Sequence, residues 1–247
     1  FLRFIYEINK TSYKVLLLFN TMGIKKYTNN ITSRFSNITF KANPDIHTVC
    51  IDLNSILHVC IHSKNNEVFK KTLIDKLNML LKKMKPSRLA LFTDGQAVLA
   101  KAKLQKDRRD KYLYKSSIGS LNLTPGTEFM DFVDKIVQEY LDKLDIETHY
   151  SPSTEYNEGE LKLFSWIKEN KVYENVCIVA NDADLIVLAL INTPLLKAYI
   201  YNFHNYLSLF KLVQKLSEIY TKKYDYKYHP VRKDFALLAI LQGNDYV

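Results

Sequence analysis

Acidic residues gather where the chain changes direction, and they are the side chains most able to do chemistry. Asp52, Asp94 and Asp182 each follow a short and mostly apolar run. Four more carboxylates lie at turns or near the ends of apolar segments: Glu158, Glu160, Asp184 and Asp245. Crowded acids repel one another unless cations neutralise them, and oxygen ligands suit Mg²⁺ or Mn²⁺. Two such ions about 4 Å apart can hold the attacking and leaving oxygens of a phosphodiester, so the pattern predicts a metal-dependent site for phosphodiester cleavage.

Each acid taken alone also has a structural explanation. An aspartate at the end of a strand commonly caps the helix that follows, so Asp52, Asp94 or Asp182 by itself is more often structural than catalytic. Glu158 and Glu160 precede an amphipathic segment, where the helix dipole favours negative charge. The functional interpretation therefore depends on the whole set of acids and not on any single member.

A basic segment follows Asp94 closely. If residues 96–115 form a helix, four polar side chains share one face through their spacing: Lys101, Gln105, Arg108 and Arg109. Arginine forks and an amide donor can bind a phosphate. A basic run is more often a solvated helix face, but beside an acidic metal site we favour phosphate binding.

The elements that must position these residues follow from the hydrophobic pattern. Apolar runs predict strands at 47–52, 88–94 and 175–182, with shorter candidates at 147–150 and 199–201. Helical spacing or composition predicts helices at 67–84, 96–115, 128–144, 160–170, 207–220 and 233–242. Strands that alternate with helices imply an α/β fold with a mostly parallel sheet and helices on both faces. Ligands bind beyond the carboxyl ends of such strands, where Asp52, Asp94 and Asp182 all lie.

The composition excludes several other classes of protein. The 247 residues are 47% hydrophobic and 25% charged, with six glycines and six prolines, which is typical of a globular protein and unlike a collagen-like or linker-dominated chain. A formal net charge of +9 favours polyanionic partners. The apolar run at 15–19 is too short to span a membrane. The three cysteines form no CxxC pair, so we expect reduced thiols, a cytoplasmic or nuclear location and no secretion.

Together these residues resemble the N-terminal half of the XRN family of 5′→3′ exoribonucleases, from Met22 to Val247. The resemblance rests on blocks that follow the family's order: 22–26, 52–58, 94–95 with the basic helix, 124–130, 151–153 with 158–162, 181–185 and 242–245. The segments Thr-Pro-Gly-Thr-Glu-Phe-Met (124–130) and Glu-Gly-Glu (158–160) are the most specific. The chain departs from the family at 96–98, where a proline usually follows soon after Asp-Gly.

The resemblance implies a PIN-like nuclease core with a basic helix near the active site and two bound Mg²⁺ or Mn²⁺ ions. The residues that match the family's metal-binding acids are Asp52, Asp94, Glu158, Glu160, Asp182, Asp184 and Asp245. Those that match its pocket for a 5′-terminal monophosphate are Lys101, Gln105, Arg108 and Arg109. His58 matches a histidine that stacks near the first bases, although a lone histidine on an apolar helical stretch is more often a packed core residue. The implied substrate is single-stranded RNA with a 5′-monophosphate.

Other interpretations stay open at this point. We expect residues 1–21 to be a leader or upstream extension and residues 22–247 to be the nuclease domain, truncated at its C-terminal end. One rival function is a flap-type, structure-specific 5′ DNA nuclease. Another is an RNA-binding scaffold descended from a nuclease, although the intact set of acids argues against a decayed site. A third possibility is that the truncated chain is too incomplete to be active.

Overall fold

A single sheet with helices on both faces forms the described part of the protein. The computed structural model describes residues 27–96, 122–173, 175–182, 184–192, 198–224 and 231–241. The strands in these ranges are β1 (Thr39–Phe40), β2 (Thr48–Asp52), β3 (Arg88–Phe92), β4 (Glu147–Ser151), β5 (Val176–Val179), β6 (Ala198–Tyr201) and β7 (Tyr206–Ser208). The helices are α1 (Tyr27–Arg34), α2 (Asn54–Cys60), α3 (Asn66–Met84), α4 (Glu128–Leu141), α5 (Gly159–Glu169), α6 (Asp184–Asn192), α7 (Leu209–Tyr224) and α8 (Val231–Leu241).

The sheet is mostly parallel, as the alternation of strands and helices predicts. Its order is β1-β7-β6-β5-β2-β3-β4. The five strands from β2 to β6 pair in parallel, while β1 and β7 pair antiparallel at one edge. The central strands are apolar because both of their faces are covered. Cys50 of β2 packs in the core on one face of the sheet, and its neighbour Val49 packs in the core on the other face.

Local capping sets the ends of the helices. In α3, the Asn65 side chain accepts a 2.9 Å hydrogen bond from the Val68 N–H, and the helix ends before Lys85, which has a left-handed φ of 48°. In α4, the Thr127 hydroxyl accepts a hydrogen bond of 3.3 Å from the Met130 N–H. These caps agree with the predicted starts at 67 and 128, although α4 ends at Leu141 rather than at 144.

Some sequence predictions were wrong in detail. The helix predicted from 207 begins only at 209, because Tyr206–Ser208 adds an antiparallel strand beside β6. The strand predicted at 175–182 ends at Val179, which leaves Asp182 in the loop that follows. Helices α1, α2 and α6 and strand β1 were not among the predicted elements.

Several predicted features lie outside the described residues. These are the expected leader at 1–21, the basic helix with Lys101, Gln105, Arg108 and Arg109, and the last acid, Asp245. Within the described ranges, none of the helices has the length and apolar character needed to cross a bilayer.

Candidate active site

Three of the predicted acids lie at the same edge of the sheet on adjacent strands. Asp52 is the last residue of β2, Asp94 follows β3 by two residues, and Asp182 follows β5 by three. Because β5, β2 and β3 are parallel neighbours, their carboxyl ends meet at one edge. The structure therefore places these acids where the sequence predicts a ligand site.

Helix α5 brings its N-terminus onto this edge. The Gly159 N–H donates a 2.7 Å hydrogen bond to Oδ1 of Asp94. A Cβ at Gly159 would lie 3.2 Å from Oδ1 of Asp52, 3.2 Å from Oδ1 of Asp94 and 3.1 Å from the Phe92 carbonyl oxygen. The two carboxylate oxygens thus lie against the same small space, which only a residue without a side chain leaves open at this position.

Two loops pair with each other to hold this arrangement. The Gly95 N–H donates to the Asn157 carbonyl at 2.8 Å, and the Asn157 N–H donates to the Gln96 carbonyl at 3.0 Å. A Cβ at Gly95 would lie 1.7 Å from the Glu155 carbonyl oxygen, so the loops approach too closely for any side chain there. Asn157 has a φ of 94°, a conformation that asparagine tolerates better than most residues. This pairing joins the Asp-Gly segment to the Glu-Gly-Glu segment.

Three other acids lie near enough to Asp52 for their charge to act on its carboxyl group. Burial is the largest cause that raises the pKa of Asp52 well above its usual value. Negative charge on Asp94, Glu160 and Asp182 raises this pKa further, in that order, and the Asn54 N–H lowers it. We call Asp52, Asp94, Glu160 and Asp182 the acid cluster.

The alternative that strand-end aspartates cap the helix that follows is also partly correct. Oδ1 of Asp52 accepts a hydrogen bond of 3.3 Å from the Asn54 N–H, and Oδ1 of Asp182 accepts one of 3.1 Å from the Asp184 N–H. Each of the two aspartates therefore also supports the turn into the next helix.

Two more of the predicted site acids, Glu158 and Asp184, are buried and lie two residues from Glu160 and Asp182 in sequence. Glu158 is the N-cap residue of α5 and is 4% exposed, but its side chain makes no capping hydrogen bond. Asp184 is the first residue of α6 and is 6% exposed. Buried carboxylates of this kind are unusual unless cations or donors compensate them.

His58 lies on α2 and is exposed. The alternative that it is a packed core residue is therefore wrong. Its neighbours Ile56 and Leu57 fill the core instead, at 1% and 0% exposure.

The donors of the acid cluster fit a hard divalent cation by their chemistry. All are carboxylate oxygens, the set that Mg²⁺ and Mn²⁺ prefer. Across the described ranges, however, no three histidine, cysteine or acidic side chains form a ready-made set of ligands for one ion. Mg²⁺ commonly binds through one or two carboxylates and retains several waters, so the pair Asp52 and Asp94 against Gly159 suits it.

A hydrogen-bond network that the sequence analysis missed supports the segments beside the acid cluster. Asp134 of α4 accepts hydrogen bonds from the Tyr150 hydroxyl, from the Ser153 hydroxyl at 2.7 Å and from the Ser153 N–H at 3.0 Å. The Tyr150 hydroxyl also lies 3.1 Å from the Thr93 hydroxyl, next to Asp94. An aspartate within a predicted helix is usually taken for a surface residue. The only sequence signal for this network was therefore the polar Ser-Pro-Ser segment at 151–153.

Lys162 is the second residue that the sequence analysis left without a role. It lies in the first turn of α5, is 9% exposed, and donates a 2.8 Å hydrogen bond to the Pro152 carbonyl. Burial lowers the pKa of Lys162, and negative charge on Glu155, Asp94 and Asp134 opposes this shift.

Comparison with protein families and curated proteins gives consistent relationships. Residues 22–117 and 110–197 match the family profile described as "XRN 5'-3' exonuclease N-terminus". The chain is 27% identical to 5'-3' exoribonuclease 1 of Saccharomyces cerevisiae, over 92% of this chain and 19% of the relative. It is 25% identical to 5'-3' exoribonuclease 1 of Schizosaccharomyces pombe, over 92% of this chain and 22% of the relative. The chain thus spans about a fifth of the length of these relatives.

Comparison with solved structures identifies the fold. The catalytic core of Rad2 in complex with DNA substrate superposes with a TM-score of 0.53 and 18% identity, over 91% of this chain and 62% of that chain. The predicted PIN-like α/β fold is confirmed.

Proposed function

This chain belongs to the family of XRN 5′-3′ exonuclease N-terminal regions, and from that premise we propose that it is the catalytic part of an exoribonuclease. The substrate would be single-stranded RNA with a 5′-monophosphate, digested from its 5′ end by hydrolysis of the first phosphodiester. The observation that carries the proposal is the convergence of the acid cluster at one sheet edge, from three strand ends and one helix start that lie far apart in sequence.

The acid cluster would hold two Mg²⁺ or Mn²⁺ ions. When bound, such ions lower the pKa of an attacking water and stabilise the leaving oxygen. Asp52 and Asp94 would supply ligands from the strand ends, and Glu160 would supply one from the first turn of α5. The Gly159 N–H fixes the orientation of the Asp94 carboxylate through its hydrogen bond. Glu158, Asp184 and Asp245 complete the proposed set of acids.

The end of the RNA would be recognised by charge. We assign binding of the 5′-monophosphate to Lys101, Gln105, Arg108 and Arg109, which come soon after the Asp94–Gly95 loop in sequence. A pocket that closes on a monophosphate fixes the distance to the first phosphodiester, which accounts for cleavage one nucleotide at a time. His58, exposed on α2, would stack near the first bases.

The cysteines agree with the reducing compartment expected from the sequence. Cys50, Cys60 and Cys177 are free and buried, and burial is the largest cause that raises the pKa of each thiol. Buried thiols of raised pKa are structural and unreactive. We therefore place the protein in the cytoplasm or nucleus.

A nuclease assay tests the proposal. RNAs of one sequence with a 5′-monophosphate or a 5′-triphosphate are incubated with the protein in Mg²⁺ or in EDTA, beside a 5′-flap DNA. We expect digestion of the monophosphate RNA in Mg²⁺ and none in EDTA. Equal digestion of both RNA ends would contradict the role of the basic segment, and preference for the flap would favour the rival DNA nuclease.

Variants separate catalysis from binding. The double variant Asp182→Ala with Asp184→Ala is expected to lose digestion while it still folds, and the exposed pair Asp75→Ala with Asp131→Ala serves as the control. A wild-type chain that binds the monophosphate RNA but does not cleave it in Mg²⁺ would support the scaffold or the incomplete enzyme instead.

A further inference from the structure

Tyr156 is an exposed aromatic side chain in the loop that joins β4 to α5. Its exposed fraction is 60%, the largest among the exposed large apolar side chains of the described residues. Single apolar side chains are common on protein surfaces, so exposure alone indicates no function. Two further observations distinguish Tyr156: contacts fix its backbone on both sides, and it lies beside the acid cluster.

Both neighbours of Tyr156 in the chain pack or pair with the loop that follows β3. A Cβ at Gly95 would lie 1.7 Å from the Glu155 carbonyl oxygen, so the backbone just before Tyr156 packs directly on that loop. Just after it, the Asn157 carbonyl accepts a 2.8 Å hydrogen bond from the Gly95 N–H, and the Asn157 N–H donates to the Gln96 carbonyl at 3.0 Å. A ring on a backbone fixed in this way loses little further freedom when it binds a ligand.

The same loop leads straight into the acid cluster. Three residues after Tyr156, the Gly159 N–H donates a 2.7 Å hydrogen bond to Oδ1 of Asp94, and Glu160 follows in the first turn of α5. Three residues of extended chain span at most about 11 Å. The backbone of Tyr156 therefore lies within that distance of a residue that contacts the acid cluster.

We propose that Tyr156 stacks on a base close to the cleaved phosphodiester and so forms a binding subsite for one of the first three nucleotides of single-stranded RNA. The inference rests on the proposed function, since it assumes that RNA lies on the acid cluster. Every base has a flat aromatic face, so such stacking holds a strand without selecting its sequence. Unpaired bases can leave their neighbours to stack on an aromatic side chain, so the subsite favours a single strand.

RNA binding tests the subsite in the double variant Asp182→Ala with Asp184→Ala, where digestion is expected to be lost. With a single-stranded 5′-monophosphate RNA in Mg²⁺, we expect the further change Tyr156→Ala to raise the Kd roughly tenfold, as loss of one base–aromatic stack does. Tyr156→Phe keeps the ring and should leave the Kd within about twofold. Tyr156→Leu keeps an apolar side chain without a ring and should bind as weakly as the alanine variant.

An exposed aromatic residue at the other edge of the sheet provides the control. Phe210 is 50% exposed and lies in the first turn of α7, directly after β7. Because β7 runs antiparallel to β6, it ends at the edge opposite the acid cluster. Phe210→Ala should therefore leave the Kd unchanged.

Removal of single bases from the RNA shows whether the ring acts by stacking. At one abasic position within the first three nucleotides, the Kd for the protein with Tyr156 should rise roughly tenfold. The Kd for Tyr156→Ala should not rise further at that position, because ring and base are each other's partner. A residue that affects only folding or overall charge would give the same loss at every position.

Failure of the subsite and failure of the proposed function give different results. If the double variant binds the RNA and Tyr156→Ala binds it equally well, if Tyr156→Leu binds as tightly as Tyr156→Phe, or if none of the first three bases is coupled to the ring, the stacking subsite is overturned. If the double variant does not bind single-stranded RNA at all, the proposed RNA site is itself wrong, and the subsite fails with it.

Discussion

The N–H of Gly159 donates a 2.7 Å hydrogen bond to Oδ1 of Asp94, which joins the first turn of a helix to the end of a strand. The same glycine lies against Asp52, so one residue without a side chain sets the approach of α5 to two acids. The position of Glu160, the next residue, depends on this approach.

Replacement of Gly159 by alanine should reduce activity more than stability. The added Cβ would lie 3.1–3.2 Å from two carboxylate oxygens and a carbonyl, so α5 must shift by a few tenths of an ångström. Alanine is otherwise a better helix residue than glycine, by up to about 1 kcal/mol in a helix interior, which offsets part of the strain. We expect at least a tenfold loss of RNA digestion with a change of about 1 kcal/mol or less in urea denaturation. Ser165→Ala, at an exposed position of α5, should leave both unchanged.

Replacement of Gly95 by alanine should destabilise the fold itself. Its Cβ would lie 1.7 Å from the Glu155 carbonyl oxygen, so the two paired loops must separate. We expect a loss of about 2–4 kcal/mol in the free energy of unfolding. Gly126→Ala gives the contrast, because a Cβ there meets open space and only the φ of 82° is unfavourable, at about 1 kcal/mol. Equal losses in both variants would show that the loop contact does not limit stability.

Asp52→Asn should make the metal-free protein more stable. The asparagine replaces a half-buried acid whose pKa is raised by burial and by negative charge on Asp94, Glu160 and Asp182, so the free-energy cost of ionising this group is removed. In EDTA at neutral pH we expect a gain of about 1–2 kcal/mol in urea denaturation, together with loss of the stabilisation by Mg²⁺. Asp75→Asn, at an exposed position of α3, is the control. A variant less stable than the wild type in EDTA would contradict crowding of negative charge at this edge.

Asp134→Asn should loosen the support of the site. Three donors, the Tyr150 hydroxyl and both donors of Ser153, lose a charged acceptor. We expect a loss of about 2–3 kcal/mol, measured by urea denaturation, whereas Asp131→Asn on the exposed side of α4 should change stability by less than about 0.5 kcal/mol. In a double-mutant cycle with Tyr150→Phe, the double variant should lose less stability than the two single variants lose together, since both changes remove the same hydrogen bond.

Stability should fall in mild acid because of His149. Its ring stacks on Trp166 with centroids 5.2 Å apart, and burial lowers the pKa of His149 below 6.5, although Glu155 opposes the shift. Since the unfolded chain takes up the proton more readily, the contribution of neutral His149 is complete above pH 6.5 and is lost as the pH falls through the folded pKa. His149→Gln should flatten this part of the curve of unfolding free energy against pH. The same change at exposed His62 should leave the slope as it is.

Much of the fold could be predicted from sequence because burial leaves clear patterns. The runs that form β2 and β3 are apolar and end in acids, and the helix at 66–84 shows a stripe of buried residues that includes Leu73, Leu77 and Leu80. The convergence of Asp52, Asp94 and Asp182 followed from a rule about parallel sheets.

The parts that were missed depend on contacts between distant segments. Tyr206–Ser208 is too short to show a strand pattern and became a strand because β6 and β1 lie beside it. Helix α6 is apolar almost throughout, so it lacks the two-sided pattern that identifies a surface helix. The role of Asp134 depends on Ser153, which only the folded chain brings close.

The order of the strands also has a consequence for biosynthesis. β2 pairs with β3 on one side and with β5 on the other. β5 is synthesised well after β3, and Asp182 follows β5 in the chain. A growing chain therefore holds an unfinished sheet until β5 has emerged from the ribosome and inserted beside β2. The last strand-end acid arrives in that same event, so a nascent chain cannot assemble its acid cluster before its central strands are in place.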